Sequence, residues 1–185
     1  MLQFLALPVA WAGLYSATIN STPRPMIHFV KDYFGDYPLN AAEIGTYRGI
    51  NADNMLKYLN INEIYLIDPY QSYNEYTDPI NDSIDDKTFN EAKWRTSHSA
   101  DKITWIREPS NTAYNKIPDK LDYIYIDGNH LYNYVIEDID LYYPKVRSGG
   151  VIGGHDVFLS DVIDAVEDSF DEYYCVFPDW WIIKP

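Results

Sequence analysis

The stretch YIYIDGNHLYNYV, residues 123–135, sets Asp127, Asn129 and His130 directly behind an alternating run of tyrosine and isoleucine. The run has the aromatic and β-branched composition of a buried strand. Ionisable side chains are rarely buried without partners, so their position at the end of such a strand needs a reason. Open parallel sheets supply one, because their ligands bind beyond the carboxyl ends of the strands. The stretch therefore predicts a parallel strand that ends in a ligand site.

Strands and helices alternate on both sides of this stretch. Strands are predicted at AAEIG, NEIYLID, KITWIRE, LDYIYID and GGVIGGHD, with helical segments between them. Two further strands, EYYCVF and DWWIIK, are joined by very few residues and predict an antiparallel edge. The pattern predicts an α/β fold, namely a Rossmann-like, doubly wound, mostly parallel seven-stranded sheet with an antiparallel C-terminal hairpin.

The length of the chain predicts one domain. Its 185 residues are enough for one hydrophobic core, and no repeat or linker divides them. We expect a single domain over residues 1–185. It consists of an apolar segment at residues 1–22, a leading helix at residues 23–35 and an α/β core at residues 40–185.

Composition limits the compartment and the partners. Twenty-eight acidic and fourteen basic residues give a formal charge of −14, which repels nucleic acid and anionic membrane surfaces. The single cysteine, Cys175, excludes an intramolecular disulfide and favours a reducing cytoplasm. The uncharged part of the apolar segment, residues 2–17, is too short to span a bilayer as an ordinary helix, so we expect the segment to pack on the domain, cover the site or join a second subunit. We predict a cytoplasmic protein with no nucleic-acid or membrane partner and with homo-oligomer contacts through that segment.

Four of the predicted strands end in polar residues. A single Asp after a strand often caps the next helix, but four polar strand ends together indicate one ligand-binding rim. The absence of G-x-G-x-x-G and of a phosphate loop argues against a pyrophosphate ligand. A glycine turn beside an acidic strand end suits a nucleoside that carries positive charge. The strand ends are the segment 43–45, Asp68, Asp127 and the pair His155-Asp156.

Three motifs occur together in the chain. Glu43, Gly45 and Gly49 form E-x-G-x-x-x-G, a D-G-x-H-x-Y-x-x-V-x-x-D motif begins at Asp127, and PKVRSGGVIGGHD closes the series at Asp156. As a set they resemble the class I S-adenosylmethionine-dependent methyltransferases, and more narrowly their small O-methyltransferase-like branch. The resemblance covers residues 40–157.

The resemblance implies S-adenosylmethionine as the cofactor. In such enzymes the glycine turn holds the methionine and ribose part of the cofactor, and the acidic residue that matches Asp68 accepts the ribose hydroxyls. Ser110 falls where they line the adenine pocket, with Glu108 in place of the usual glycine. The implied cofactor-binding residues are Glu43, Gly45, Tyr47, Gly49, Asp68, Ser110 and Asp127.

The resemblance also implies a catalytic end of the same rim. In metal-dependent members Asp127 matches a carboxylate ligand and the fifth strand supplies the next two, so the implied metal ligands are Asp127, His155 and Asp156. Catechol-type enzymes have Asp-Asn where this chain has His155-Asp156, and a lysine where it has His130. Methyl transfer to a hydroxyl requires loss of a proton, assisted either by Mg²⁺, Mn²⁺ or Fe²⁺ or by a histidine base. The implied catalytic residues are Asp127, His130 and His155.

Three functions are consistent with these residues. The leading hypothesis is an O-methyltransferase that acts on a small hydroxylated acceptor, such as a sugar, a glycan end or a phenolic metabolite. The second is a nucleoside-binding module that keeps the fold without turnover. The third is a nicotinamide-dependent oxidoreductase, against which the missing G-x-G-x-x-G counts.

Overall fold

One seven-stranded sheet runs through residues 23–72 and 85–185, the part of the chain that the computed structural model describes. In chain order its strands are β1 (Leu39–Ile44), β2 (Ile61–Ile67), β3 (Ile103–Ile106), β4 (Leu121–Ile126), β5 (Val146–Gly154), β6 (Tyr174–Val176) and β7 (Asp179–Ile183). The α-helices are α1 (Pro25–Phe34), α2 (Ile50–Tyr58), α3 (Asp86–Arg95), α4 (Ser110–Ala113), α5 (Tyr132–Tyr142) and α6 (Ser160–Ser169).

The sheet has the order β3-β2-β1-β4-β5-β7-β6. The first five strands pair in parallel, and β7 lies antiparallel between β5 and β6. The register sets Ile44 beside Ile67 and Ile126, so β1, β2 and β4 end at one edge of the sheet. The strand order reverses between β1 and β4, which is where open α/β sheets bind ligands. The predicted mostly parallel sheet with an antiparallel end is confirmed.

The alternation of tyrosine and isoleucine in β4 divides its side chains between two cores. Tyr123 and Tyr125 pack on the face covered by α1 and α2, whereas Ile124 and Ile126 pack on the face covered by α5 and α6. All four side chains are buried. Successive residues of a strand point to opposite faces, so a strand covered on both sides is apolar throughout.

Helix α1 lies across the sheet and starts at the carboxyl edge. Pro25 occupies its first turn, and Gly35 ends it with a φ of 59°. Its buried face is formed by Met26, Ile27 and Val30. The backbone N–H of Met26 donates to Oδ2 of Asp179 at 2.9 Å, so the first residue of β7 caps this helix.

Two parts of the chain lie outside the described residues. One is residues 1–22, with the predictions that they pack on the domain, cover the site or form homo-oligomer contacts. The other is residues 73–84, part of the polar stretch between β2 and α3. Among the helices that are described, none is long and apolar enough to cross a membrane.

Candidate active site

The turn after β1 contains two glycines with positive φ, Gly45 at 84° and Gly49 at 73°. A Cβ on Gly45 would overlap the backbone carbonyl of Asp127, so the ends of β1 and β4 leave room for glycine alone. A Cβ on Gly49 would lie 3.0 Å from Cα of Ala92 in α3. The packing around each of these positions therefore favours glycine. The close approach of a ligand to this turn, which the sequence predicts, stays a prediction.

Asp68 accepts hydrogen bonds from two turns, the turn after β1 and the turn that follows Asp68 itself. Its Oδ2 accepts a hydrogen bond from the backbone N–H of Tyr47 at 2.8 Å, and its Oδ1 accepts one from Tyr70 at 2.7 Å. Burial raises the pKa of Asp68, although both of these hydrogen bonds oppose the shift. A carboxylate has about four acceptor sites, so ribose hydroxyls can still bind.

The two tyrosines that donate to Asp68 have unusual backbone conformations. Tyr47 has a φ of 47° and Tyr70 a φ of 51°. These values lie in the left-handed region, which residues other than glycine and asparagine seldom adopt. Such conformations cost on the order of 1 kcal/mol or more and persist where the surroundings require them. Here they direct both N–H groups at one carboxylate. The rim is thus prearranged around Asp68.

Glu43 is fully buried beneath the glycine turn. Its Oε1 accepts a hydrogen bond from the side-chain amide of Asn51 at 2.9 Å, and its Oε2 has no hydrogen-bond partner among the described residues. Burial raises the pKa of Glu43 to about 8. A buried carboxyl oxygen without a partner is costly in the free protein, and a polar or cationic ligand beside it would remove that cost. Glu43 therefore fits a site for the sulfonium cofactor that the motifs imply.

Ser110 is fixed by helix α5. Its side chain faces Asp138, and its backbone carbonyl accepts a hydrogen bond from the hydroxyl of Tyr142 at 2.9 Å. Burial raises the pKa of Asp138 to about 7, with the side chain of Ser110 opposing the shift. Asp138, the last residue of the D-G-x-H-x-Y-x-x-V-x-x-D motif, thus supports the loop that the resemblance places at the adenine.

A cluster of two carboxylates and two imidazoles lies at the ends of β4 and β5. Nε2 of His130 is 2.9 Å from Oδ2 of Asp156 and 3.5 Å from Oδ1 of Asp127. Nδ1 of His155 is 2.8 Å from Oδ1 of Asp156 and 3.9 Å from Oδ1 of Asp127. The structure therefore brings together all four residues that the sequence singled out at this end of the rim.

The charges of the cluster stabilise one another. Burial alone would lower the pKa of His130, but its contacts with Asp127 and Asp156 outweigh burial and raise the pKa to about 10. For Asp127, burial is outweighed by the charge of Arg24 and by the two histidines, so its pKa lies below the ordinary value. The pKa of Asp156 is lowered in the same way by the two histidines. The raised pKa favours the protonated form of His130 between the two carboxylates.

The metal-binding group that the structure assembles differs from the implied one by a single residue. Among the described residues, one set of three potential ligands has donor atoms that all lie within 4.8 Å of one another: Asp127, His130 and Asp156. His130 thus takes the place that the sequence assigned to His155. The mixed carboxylate and imidazole donors suit Mg²⁺, Mn²⁺ or Fe²⁺.

Arg24 is a member of this site that the sequence did not indicate. Its Nη1 lies 2.6 Å from Oδ2 of Asp127 and donates to the hydroxyl of Tyr125 at 3.1 Å. Tyr125 in turn donates to Oδ1 of Asp179 at 2.8 Å. Arg24 lies 103 residues from Asp127 in the chain, so no local spacing could have paired them.

Two phenylalanines stand beside the cluster. Phe158 follows Asp156 by two residues and Phe177 lies in the turn between β6 and β7, with their ring centroids 5.6 Å apart. The backbone N–H of Val157 donates to the carbonyl of Pro178 at 3.1 Å and ties the two loops together. Both rings are more than half exposed. They form an exposed apolar surface on the loops that follow Asp156 and precede β7.

The comparisons with known proteins agree with this geometry. A family model described as a methyltransferase domain matches residues 42–157, which contain every site residue that the sequence predicted. A curated, uncharacterized protein of Acanthamoeba polyphaga mimivirus is 29% identical over 118 residues, which are 62% of this chain and 49% of that protein. The chain therefore spans about half the length of this relative.

Solved structures resemble the chain in fold. The O-methyltransferase NovP has a TM-score of 0.64 at 14% identity and covers 86% of this chain and 79% of its own. A Staphylococcus aureus protein described as a caffeoyl-CoA O-methyltransferase has a TM-score of 0.63 at 16% identity. The match covers 89% of this chain and 85% of that protein. An rRNA methylase from Streptococcus thermophilus has a TM-score of 0.58 at 14% identity. The match covers 89% of this chain and 96% of that protein.

These identities show the fold alone, and the acceptors named for the similar structures differ. The family model, in contrast, covers more than half of the chain and includes the glycine turn, the ribose-side aspartate and the cluster at the ends of β4 and β5. The chain therefore belongs to this methyltransferase domain family, and its sheet has the fold of the class I S-adenosylmethionine-dependent methyltransferases.

Proposed function

We propose that this protein transfers the methyl group of S-adenosylmethionine to a hydroxyl of a small acceptor, such as a sugar, a glycan end or a phenolic metabolite. The observation that carries the proposal is the cluster of Asp127, His130, His155 and Asp156 at the carboxyl edge of the sheet. It places proton-accepting and charged groups at the end of the rim opposite Asp68, on the other side of the glycine turn.

The cofactor end of the rim would be formed by the glycine turn, Glu43 and Asp68. S-adenosylmethionine supplies an electrophilic methyl group on a sulfonium. Asp68 retains acceptor capacity for the ribose hydroxyls after binding Tyr47 and Tyr70. The oxygen of Glu43 that lacks a hydrogen-bond partner would supply negative charge to a bound cation once its proton is lost, because a nearby cation lowers a carboxyl pKa.

His155 is the best candidate for the general base. A hydroxyl is a poor nucleophile until a positioned group takes its proton. His130, with a pKa of about 10, already holds a proton at neutral pH and cannot take another. Nδ1 of His155 faces Oδ1 of Asp156 at 2.8 Å, which directs a proton on Nδ1 to that carboxylate and leaves Nε2 to receive the proton of the acceptor. In this role Asp156 orients the base.

A divalent metal is compatible with the same residues. Asp127, His130 and Asp156 would hold it, and its charge would lower the pKa of a bound acceptor hydroxyl. Binding requires a neutral imidazole, so a metal would have to displace the proton of His130, and its affinity would rise with pH.

The acceptor side favours a small molecule with a flat apolar face. Phe158 and Phe177 offer exposed ring surface beside the cluster, on which a sugar ring or a phenol can stack. The formal charge of −14 disfavours polyanionic acceptors such as nucleic acid.

The proposal is tested in two steps. Calorimetry with S-adenosylhomocysteine should show binding, and a panel of sugars and phenols should then reveal release of S-adenosylhomocysteine from S-adenosylmethionine. His155→Ala should reduce turnover by roughly 10²- to 10⁴-fold with cofactor affinity retained. His98→Ala, which alters an exposed histidine paired with Asp53, is the control and should keep full activity. Binding without transfer to any acceptor would indicate the nucleoside-binding module, and binding of NAD instead would indicate an oxidoreductase.

A further inference from the structure

Arg24 connects the leading helix to the catalytic cluster. It directly precedes α1, and its guanidinium contacts Asp127 and Tyr125, both at the end of β4. The guanidinium carbon also lies 5.4 Å from the centroid of the Tyr125 ring. The side chain of Arg24 is 24% exposed and that of Asp127 is 16% exposed, so the pair is shielded from most of the solvent.

The position of Arg24 is fixed from both sides. Tyr125, which accepts from Arg24, donates to Asp179, and Asp179 also accepts from the backbone N–H of Met26. Arg24 and Met26, two residues apart, are thus bound to β4 and β7 respectively. Held in this way, the guanidinium keeps one orientation with little loss of conformational entropy on binding Asp127.

The two oxygens of Asp127 have different partners. Oδ2 contacts Nη1 of Arg24, while Oδ1 faces the imidazoles of His130 and His155. An arginine on one oxygen fixes the rotation of the carboxylate and therefore directs the other oxygen into the cluster. Arginine stays charged at every pH at which the protein is folded, so this positive charge is permanent.

We propose that Arg24 is a positioning residue of the active site, which orients Asp127 and supplies a fixed positive charge that weakens binding of divalent metal to the cluster. The catalytic part of this inference rests on the proposed function; the metal part does not. It assigns the leading helix to the active site, although Arg24 precedes residues 42–157, which the family model matches.

The metal part is tested with Mn²⁺ as the probe, by calorimetry on the purified chain without any acceptor. Arg24→Met keeps much of the side-chain length but removes the charge, so it should bind Mn²⁺ roughly tenfold more tightly than the wild type. Arg24→Lys keeps the charge and should bind Mn²⁺ as the wild type does.

Arg147→Met is the matched control. Arg147 forms an ion pair with Asp122, also at 2.6 Å and also in β4, but at the opposite end of the strand from Asp127. This variant should lose stability without any change in Mn²⁺ affinity. Mn²⁺ affinity in Arg24→Met that is equal to or weaker than that of the wild type would overturn the metal part.

The positioning part is tested by turnover of any acceptor found in the panel. Arg24→Met should lower kcat about 10- to 100-fold with little change in KM, the usual cost of losing a group that orients a catalytic residue. Millimolar guanidinium should restore part of the activity to Arg24→Met and have no such effect on Arg147→Met. A fall in kcat without rescue would mean a structural role, and an unchanged kcat would exclude any role in positioning. If the wild type methylates no acceptor, the proposed function fails while the Mn²⁺ result still decides the metal part.

Discussion

Nε2 of His130 lies 2.9 Å from Oδ2 of Asp156, which joins the D-G-x-H turn after β4 to the strand end of β5. The contact pairs an imidazole that is 18% exposed with a carboxylate that is 11% exposed. A pair this well shielded keeps its charges strongly coupled. The protonation state of His130 therefore depends on Asp156.

Asp156→Asn should lower the pKa of His130 from about 10 towards its ordinary value of 6.5. In the wild type the raised pKa stabilises the fold below pH 6.5, and this stabilisation is lost as the pH rises through about 10. The variant should keep only the part of that dependence that Asp127 supplies. Proton NMR of the histidine rings, assigned with His130→Ala, measures the shift. Asp53→Asn, which alters the partner of His98, should leave the His130 resonance unchanged; an unshifted resonance in Asp156→Asn would contradict the coupling.

Glu43→Gln should change how stability depends on pH. Glu43 releases its proton near pH 4.5 in the unfolded chain but only near pH 8 in the folded protein. The wild type therefore loses stability as the pH rises between these values, because ionisation favours the unfolded state. Glutamine has no such proton, so the variant should become steadily more stable relative to the wild type across that window, with a constant difference above it. Denaturant unfolding at a series of pH values measures the difference; parallel curves would show that Glu43 is ionised when folded.

Asp68→Ala should weaken binding of S-adenosylhomocysteine by roughly 1–3 kcal/mol, the cost of losing a charged hydrogen-bond acceptor. It should also lower stability, because Tyr47 and Tyr70 lose the acceptor for their N–H groups. Asp85→Ala separates these effects, since Asp85 accepts from two backbone N–H groups at the start of α3. That control should cost about 1 kcal/mol of stability with no change in cofactor affinity. Equal affinities in all three proteins would remove Asp68 from the cofactor site.

Gly45→Ala should destabilise the fold far more than Gly35→Ala. Both glycines have positive φ, at 84° and 59°, so both variants bear the strain of an alanine at positive φ, on the order of 1 kcal/mol or more. Only at Gly45 does the new methyl group also overlap the carbonyl of Asp127, whereas Gly35 has open space. The difference between the two melting temperatures isolates the overlap. Similar melting temperatures would mean that β1 and β4 can separate at this end without loss.

The fold could be predicted because its signals are local. Hydrophobic runs, their length and the glycines and prolines between them indicate each strand and helix, and the alternation of elements then indicates a parallel sheet. The rim followed from the same reasoning, since parallel strands that end in Asp68, Asp127 and Asp156 must bring these residues to one edge.

The detailed composition of the site could not be predicted, because it depends on contacts between distant residues. Arg24 reaches Asp127 across the sheet, and nothing near either residue indicates the other. The place of His130 beside Asp156 depends on the backbone of Asp156, whose φ of 60° turns the chain sharply after β5. Side-chain direction after such a turn does not follow strand alternation.

The groups that pack against Gly45 and Gly49 could not be predicted from the sequence either. A glycine-flanked turn indicates a close approach, but not what approaches. At Gly45 the neighbour is the backbone of Asp127, and at Gly49 it is Ala92 of helix α3. Both glycines serve the packing that shapes the rim.

The insertion of β7 between β5 and β6 has a consequence for the order of folding. Strand β6 pairs with β7, and the capping carboxylate of α1 is the first residue of β7, so an early and a late part of the chain meet there. Contacts this far apart in sequence form slowly, because a long loop must close before they can stabilise anything. On a ribosome, the strands β1 to β5 can pair before Asp179 is in place. Until then Tyr125, which accepts a hydrogen bond from Arg24, has no carboxylate of Asp179 to which it can donate. The network that holds Asp127 through Arg24, Tyr125 and Asp179 should therefore be completed only when β7 joins the sheet, after β1 to β5 have paired.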